Sequence, residues 1–344
     1  MDETSSLPYA HGGPVLRGTL RTAPEDFFVD EQLGFEPDGE GEHVFVRVEK
    51  RGANTDWVAR QIARHAGVDA AAVSYAGMKD RNAVTRQTFS LHLPGKSDPD
   101  WSTLESPEFR VLSAARHRRK LQRGALEGNT FRIVVRDIDG DPASAELRLA
   151  EIRSSGVPNY FGEQRFGRGE GNLVRAQAMF AGSRVARHER GILLSAARSH
   201  LFNLVLGERV RRGDWNRDLE GDVWMLSGSQ SIFGPEPLSE ELRVRLACGD
   251  IAPTGPPWGA GDLRTSGAPG EIERNIGTGH EPIVRGLAMS GLRQERRTLV
   301  LRAPDITSER LSARELVMSF SLNKGSYATV LVREIIENTS VFET

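Results

Sequence analysis

Apolar and polar positions alternate with a period of two in the first part of the chain. This predicts strands over 15–22, 27–33 and 43–50, separated by Pro or Gly. Thr55 is placed to cap a helix running to His65 and stopped by Gly67. Two further strands, over 73–78 and 88–93, flank the polar connection Lys79-Asp-Arg-Asn-Ala-Val-Thr85, and two more are predicted over 109–113 and 130–137. From about Pro142 the period lengthens to that of a helix, over 143–155, 172–180, 190–211 and 239–248. Residues 253–270, rich in Pro and Gly, read as an ordered loop or a mobile excursion. Strand patterning returns over 298–302 and 316–322, and a helix over 326–337 follows. An order of β-rich, α-rich and again β-rich segments predicts an α+β chain whose middle unit is inserted into a host completed by the C-terminal part.

Length supports that division, because 344 residues exceed what one hydrophobic core normally serves. An apolar share of 38% beside 27% charged residues is that of a globular chain. The net charge of -2 and pI near 6.5 carry no global basic signature, so any nucleic-acid surface must be local. Cys248 is the one cysteine, no secretory pattern opens the chain and no apolar run is long enough for a bilayer, which fits a cytoplasmic location. The histidines are scattered without metal-ligand spacing, no phosphate-loop motif occurs, and Gly167-Arg-Gly-Glu-Gly171 reads as a loop, so neither metal nor cofactor is expected. Nothing demands more than a monomer.

Five segments are candidates for chemistry. In 76–87, Asp80 lies between two predicted strands and is bracketed by Lys79 and Arg81; cations favour an ionised, nucleophilic carboxylate, and the plainer alternative is a solvated loop Asp. In 21–31, Arg21 precedes a Pro-led turn and the adjacent Phe27 and Phe28. Strand alternation turns one of these rings from the core, where it could stack on a base, unless both faces of the sheet are covered. Residues 116–123 hold five cations in eight positions, ahead of Asn129 and Phe131 on the next strand; such a run can neutralise phosphates, and Asn129 can both donate to and accept from a uracil edge. The run Val157-Pro-Asn-Tyr-Phe-Gly-Glu-Gln-Arg-Phe-Gly167 has the composition of a polar-lined hinge or binding loop. In 320–330, Ser326 is a candidate cap with Tyr327 in the first turn, either in the core or facing a cleft.

Taken in order, the motifs Gly-x-Lys-Asp-x-x-Ala-x-Thr-x-Gln, Arg-Lys-Leu-x-x-Gly-x-Leu-x-Gly-Asn-x-Phe, Pro-Asn-Tyr-Phe-Gly-x-Gln-Arg-Phe-Gly and Gly-Ser-Tyr-Ala-Thr resemble the TruD family of tRNA pseudouridine synthases, which act on uridine 13 of tRNA. The resemblance runs from Arg21 to Glu334. It implies a pseudouridine synthase catalytic domain on a mainly antiparallel mixed sheet, in two parts (1–154 and 299–344), with a helix-rich TRUD domain inserted over 155–298. It implies Asp80 as the catalytic carboxylate and Arg21 as its basic partner, with Phe27, Asn129, Phe131, Tyr327 and Lys79 around the target nucleotide. Two positions depart from the expected pattern: Tyr327, where some relatives carry Phe, and Met78 in place of Gln. The implied reaction is an isomerisation without a cofactor on tRNA as partner. Asp80 would attack ribose C1′ or uracil C6, or act as a base. The competing readings are a non-catalytic RNA-binding protein using the same cleft and a carboxylate hydrolase, which normally needs two acids.

Overall fold

The computed structural model describes residues 7–339, so the outermost parts of the expected 1–154 and 299–344 units lie outside the described residues. The first part of the chain forms β1 (Leu16–Leu20), β2 (Phe27–Gln32), β3 (His43–Arg51), α1 (Thr55–His65), β4 (Val73–Tyr75), β5 (Val84–His92), β6 (Glu105–Ser106), β7 (Phe109–His117), β8 (Gly128–Gly140) and α2 (Pro142–Ser155). The middle contributes β9 (Val157–Pro158), α3 (Gly171–Phe180), α4 (Arg187–Arg212), β10 (Trp224–Leu226), β11 (Ile232–Phe233), α5 (Glu240–Ala247), β12 (Ile251–Gly255), α6 (Gly267–Gly279), α7 (Glu281–Met289) and β13 (Arg297–Thr298). The last part adds β14 (Val300–Leu301), β15 (Thr307–Ser312), β16 (Glu315–Asn323), α8 (Ala328–Val332) and β17 (Ile336–Asn338).

Strands from the first and last parts make one sheet in the order β15-β16-β8-β2-β5-β3-β7-β6, to which β1, β17 and β4 attach. Only β1 with β17 and β2 with β5 run parallel among its described pairs, so the sheet is mixed and mainly antiparallel, as the resemblance implies. The register sets Phe27, Val29 and Glu31 opposite Ile133, Phe131 and Asn129, and Phe131 opposite Phe320, which places these side chains on a single face.

Helices cover that face in two places. The apolar positions of α1 (Val58, Ala59, Ile62, Ala63) fall on one helical stripe and pack on Val44, Val46, Val48 and Phe89. Each of these fully buried valines contributes about 1.5–3 kcal/mol relative to an exposed one. Farther along, Ala145, Leu149 and Ile152 of α2 and Leu331 and Val332 of α8 close over Phe131, Ile133, Met318 and Phe320. Between the two clusters the same face carries buried polar groups, Glu31, Thr85, Gln87 and Lys50.

In the middle, α3, α4, α6 and α7 gather around Leu201, Trp258, Ile272 and Leu287, and a small sheet in the order β11-β10-β12-β13 lies beside them. The expected loop over 253–270 is corrected: it begins in β12, buries Trp258 and ends in α6, because Gly255 lets β12 pack closely on Leu299 and Phe202, where an added Cβ would come within 2.9 Å of Leu299, and Trp258 supplies an apolar anchor. The helix expected over 326–337 is also corrected. It spans only Ala328–Val332, with Tyr327 rather than Ser326 at its N-cap, and the chain then straightens into β17 to pair with β1. Thr55 is the first helical residue rather than the cap, and its hydroxyl has another use.

Candidate active site

The connection between β4 and β5 crosses the polar gap between the two helix-covered clusters, and three side chains strap it in place. Lys79 N donates to Thr55 Oγ1 at 3.1 Å, Thr55 Oγ1 donates to Gln87 Oε1 at 2.9 Å, and Gln87 Nε2 donates to Gly77 O at 3.2 Å. Lys50 Nζ donates to the main-chain carbonyls of Asp80 at 2.8 Å and Ala53 at 2.9 Å. With its backbone held, Asp80 accepts from Asn82 N through Oδ1 at 2.9 Å and turns Oδ2 to Arg21 Nη1, also 2.9 Å away. Side-chain exposures of 28% for Asp80 and 23% for Arg21 leave the pair reachable from solvent yet walled by protein.

Arg21 adopts φ +59°, a left-handed conformation that a non-glycine residue holds only at a cost of about 1–3 kcal/mol when the surroundings enforce it. That turn carries its guanidinium from the end of β1 over the Phe27 ring, 4.1 Å from the centroid, while it reaches Asp80. Phe27 is the ring of its pair that faces the covered side; it meets Phe131 edge-on at 6.2 Å, and Phe131 stacks on Phe320 at 5.3 Å. Phe28 faces the other way, under Arg86.

Lys79 directs its ammonium at Glu31, 2.6 Å from Oε2, with exposures of 8% and 0%, and Glu31 Oε1 accepts from Thr88 N at 3.1 Å. Asn129 stands opposite Glu31 in the sheet, and its Oδ1 is buried without a hydrogen-bond partner. An orphaned amide oxygen of this kind costs free energy until a donor arrives.

Tyr327 is held in a different contact set. Its hydroxyl accepts from Arg165 Nε at 3.0 Å and Nη2 at 2.6 Å, and its ring meets Phe161 at 6.1 Å. Arg165 also donates to Ser195 Oγ of α4 at 3.0 Å. Beside them Arg297 lies over Phe161 at 4.1 Å and donates to Asn159 Oδ1 at 2.7 Å and to Gly325 O at 3.0 Å; burial lowers its pKa to about 10. The Pro-Asn-Tyr-Phe-Gly run is therefore where the helical middle, the 297–298 segment and the Tyr327 loop are joined. The structure thus brings Arg21, Asp80, Phe27 and Phe131 together, sets Lys79 and Asn129 around Glu31, and fixes Tyr327 through Arg165.

In the basic segment, Arg116 pairs with Asp98 and Arg118 with Glu40, acids remote in sequence. Arg119, Lys120 and Arg123 are exposed and make no ion pair among the described residues. Their loop is tied to the Asp80 connection, since Gly124 N donates to Ala76 O at 2.7 Å. Among the described residues no group of three or more His, Cys, Asp or Glu side chains is placed to hold a metal ion, and no helix is long and apolar enough to cross a membrane.

Sequence alone assigns no role to Glu31, Lys50, Gln87, Arg165 or Arg297, although Gln87 and Arg165 are fixed letters of the family motifs. For Lys50 a signal existed: it continues the spacing Val44, Val46, Val48, so alternation puts a cation on an otherwise apolar face. Arg297 carries no such signal and Arg165 only its place in a family motif, because each is recruited by partners far along the chain.

Known proteins resemble this chain over most of its length. The family profile described as tRNA pseudouridine synthase D (TruD) matches residues 5–176 and 172–335. A tRNA pseudouridine synthase D of Methylococcus capsulatus is 49% identical over 333 residues, covering 96% of this chain and 94% of its own. One from Xanthomonas euvesicatoria is 47% identical over 352 residues, with 97% and 95% covered. The solved structure of a Methanosarcina mazei protein assigned as tRNA pseudouridine synthase D superposes with a TM-score of 0.73 at 25% identity, covering 95% of each chain. The chain belongs to the tRNA pseudouridine synthase D (TruD) family.

Proposed function

We propose that this chain is a tRNA pseudouridine synthase that isomerises uridine 13 of tRNA, with Asp80 as its catalytic carboxylate. The observation that carries the reading is the Asp80–Arg21 pair at 2.9 Å in a polar gap of the sheet, with the same guanidinium over Phe27. Isomerisation breaks the bond from uracil N1 to ribose C1′, turns the base, joins C5 to C1′ and releases the C5 proton while N1 regains one. Atoms and oxidation state balance without any added group. A carboxylate fixed by its backbone and aimed by an arginine suits attack on C1′ or C6 or removal of a proton.

A stacked uridine must leave its helix to reach such a site. Phe27, backed by Phe131, offers a ring surface once Arg21 shifts toward the substrate, and Tyr327 supplies a second aromatic from the C-terminal side. The unpartnered Oδ1 of Asn129 suits an N–H donor such as uracil N3. Lys79 contributes to substrate binding through its pair with Glu31, which fixes the floor beside Asn129. Arg119, Lys120 and Arg123 meet the phosphates on the rim. Residues 155–298 act as an inserted unit that grips the tRNA body, with the chain working in the cytoplasm as a monomer.

The test uses tRNA labelled with tritium at uracil C5. Release confined to one site and lost in Asp80→Asn, with tRNA binding kept within about threefold, supports the reading. Unchanged release in Asp80→Asn, or free uracil as product, overturns it.

A further inference from the structure

Alternation along β3 calls for an apolar side chain after Val44, Val46 and Val48, yet the position holds Lys50, with no exposure. Methionine or leucine would fill that face without burying a charge. No carboxylate lies within ion-pair distance of the ammonium among the described residues. Its bonds go instead to two main-chain oxygens, Ala53 O at 2.9 Å and Asp80 O at 2.8 Å. Packing does not need an ammonium here, whereas clamping two carbonyls from the sheet side does.

We infer that Lys50 is a positioning residue that fixes the main chain of Asp80, so that the carboxylate's direction is set by Arg21 and its location by the sheet. The inference rests on reading Asp80 as the catalytic carboxylate. Thr55 and Gln87 hold the loop at Gly77 and Lys79, on one side of Asp80 only. The Lys50 clamp is the bond that reaches Asp80's own peptide. A displacement of about 1 Å at a reacting group can cost on the order of a hundredfold in rate.

The clamp is also sensitive to pH. Burial lowers the Lys50 pKa from 10.5 to about 8; Asp80 opposes that fall and Lys79, itself matched by Glu31, adds to it. Arg21 in turn matches Asp80. As pH rises past about 8 the ammonium loses its charge and its bonds to both carbonyls weaken. Arginine at the same position would not titrate in this range.

The experiment measures kcat and KM for tritium release by the full chain as wild type, Lys50→Met, Lys50→Arg and Asp80→Asn from pH about 6.5 to 9.5, with melting curves alongside. We expect Lys50→Met to lose about a hundredfold in kcat with KM within about threefold. Lys50→Arg should recover at least about tenfold of that loss, and the wild-type fall in kcat above pH about 8 should be absent from it. Lys50→Met within about threefold of wild-type kcat, or the same alkaline fall in wild type and Lys50→Arg, overturns the inference. If Lys50→Met does not fold, the contrast between wild type and Lys50→Arg decides by the same criterion. Activity in Asp80→Asn instead overturns the reading of Asp80, whatever the Lys50 variants do.

Discussion

Removing the Lys79 ammonium would separate two roles for that residue, a cation that meets RNA and a cation that neutralises a buried acid. Lys79 Nζ lies 2.6 Å from Glu31 Oε2, with side-chain exposures of 8% and 0%. In Lys79→Met the Glu31 carboxylate keeps only the bond from Thr88 N at 3.1 Å. Stranding one partner of a buried pair costs about 3–5 kcal/mol. With an unfolding entropy of about 2.1 cal/mol/K per residue, that lowers the melting temperature by about 4–7 °C if the chain melts as one unit, and by more if the sheet-bearing part melts alone. Glu31→Gln with Lys79→Met removes both charges and should restore about half of the loss, about 1.5–2.5 kcal/mol. Melting curves and urea titrations of the four proteins, with tritium-release kinetics, complete the cycle. The pair acts as a unit if kcat recovers with stability in the double variant. A Lys79→Met protein within about 1 kcal/mol of wild type, and additive in the double variant, would refute the reasoning.

Tyr327→Phe keeps the ring and removes the acceptor of two charge-assisted bonds from a half-buried Arg165. The expected loss is about 1–2 kcal/mol, seen as a melting shift of about 1–3 °C, with KM for tRNA raised more than kcat is lowered; an unchanged melting curve would show the hydroxyl to be idle. His43 is held below the ordinary imidazole range by burial, then by the neighbouring His92 and Lys120. Its neutral form is the one the fold favours, so its contribution is complete above pH about 6.5 and is lost as pH falls through the lowered value. His43→Gln should therefore flatten the drop in melting temperature between pH about 7 and 5, and an equal drop in both proteins would exclude His43 as its source.

Much of the sheet was legible because its strands obey alternation: β1, β2, β3 and β8 lie within a few residues of where period-two patterning puts them. Short strands with no room for a period, such as β10 and β11, were not, and α6 and α7 hide among Gly and Pro that usually mark loops. Asp80 was found through a motif, but nothing local says that Arg21 meets it, since the contact depends on a left-handed turn after β1 and on the parallel pairing of β2 with β5. Likewise the cationic run gave no sign that Arg116 and Arg118 are already matched, because Asp98 and Glu40 come from other loops. The Tyr327 hydroxyl, a mere departure from the family pattern in sequence, is accounted for by Arg165.

The parallel seam that sets Leu16 against Ile336 and Gly18 against Asn338 governs the order of assembly. During synthesis β1 emerges more than three hundred residues ahead of its neighbour, so one edge stays open while the helical middle is being made. A partly made chain therefore exposes backbone donors and acceptors along the open side of β1, and β17 closes it. For the same reason the first and last described strands lie side by side, so a permuted protein that links them early and opens in a surface loop should fold without that wait.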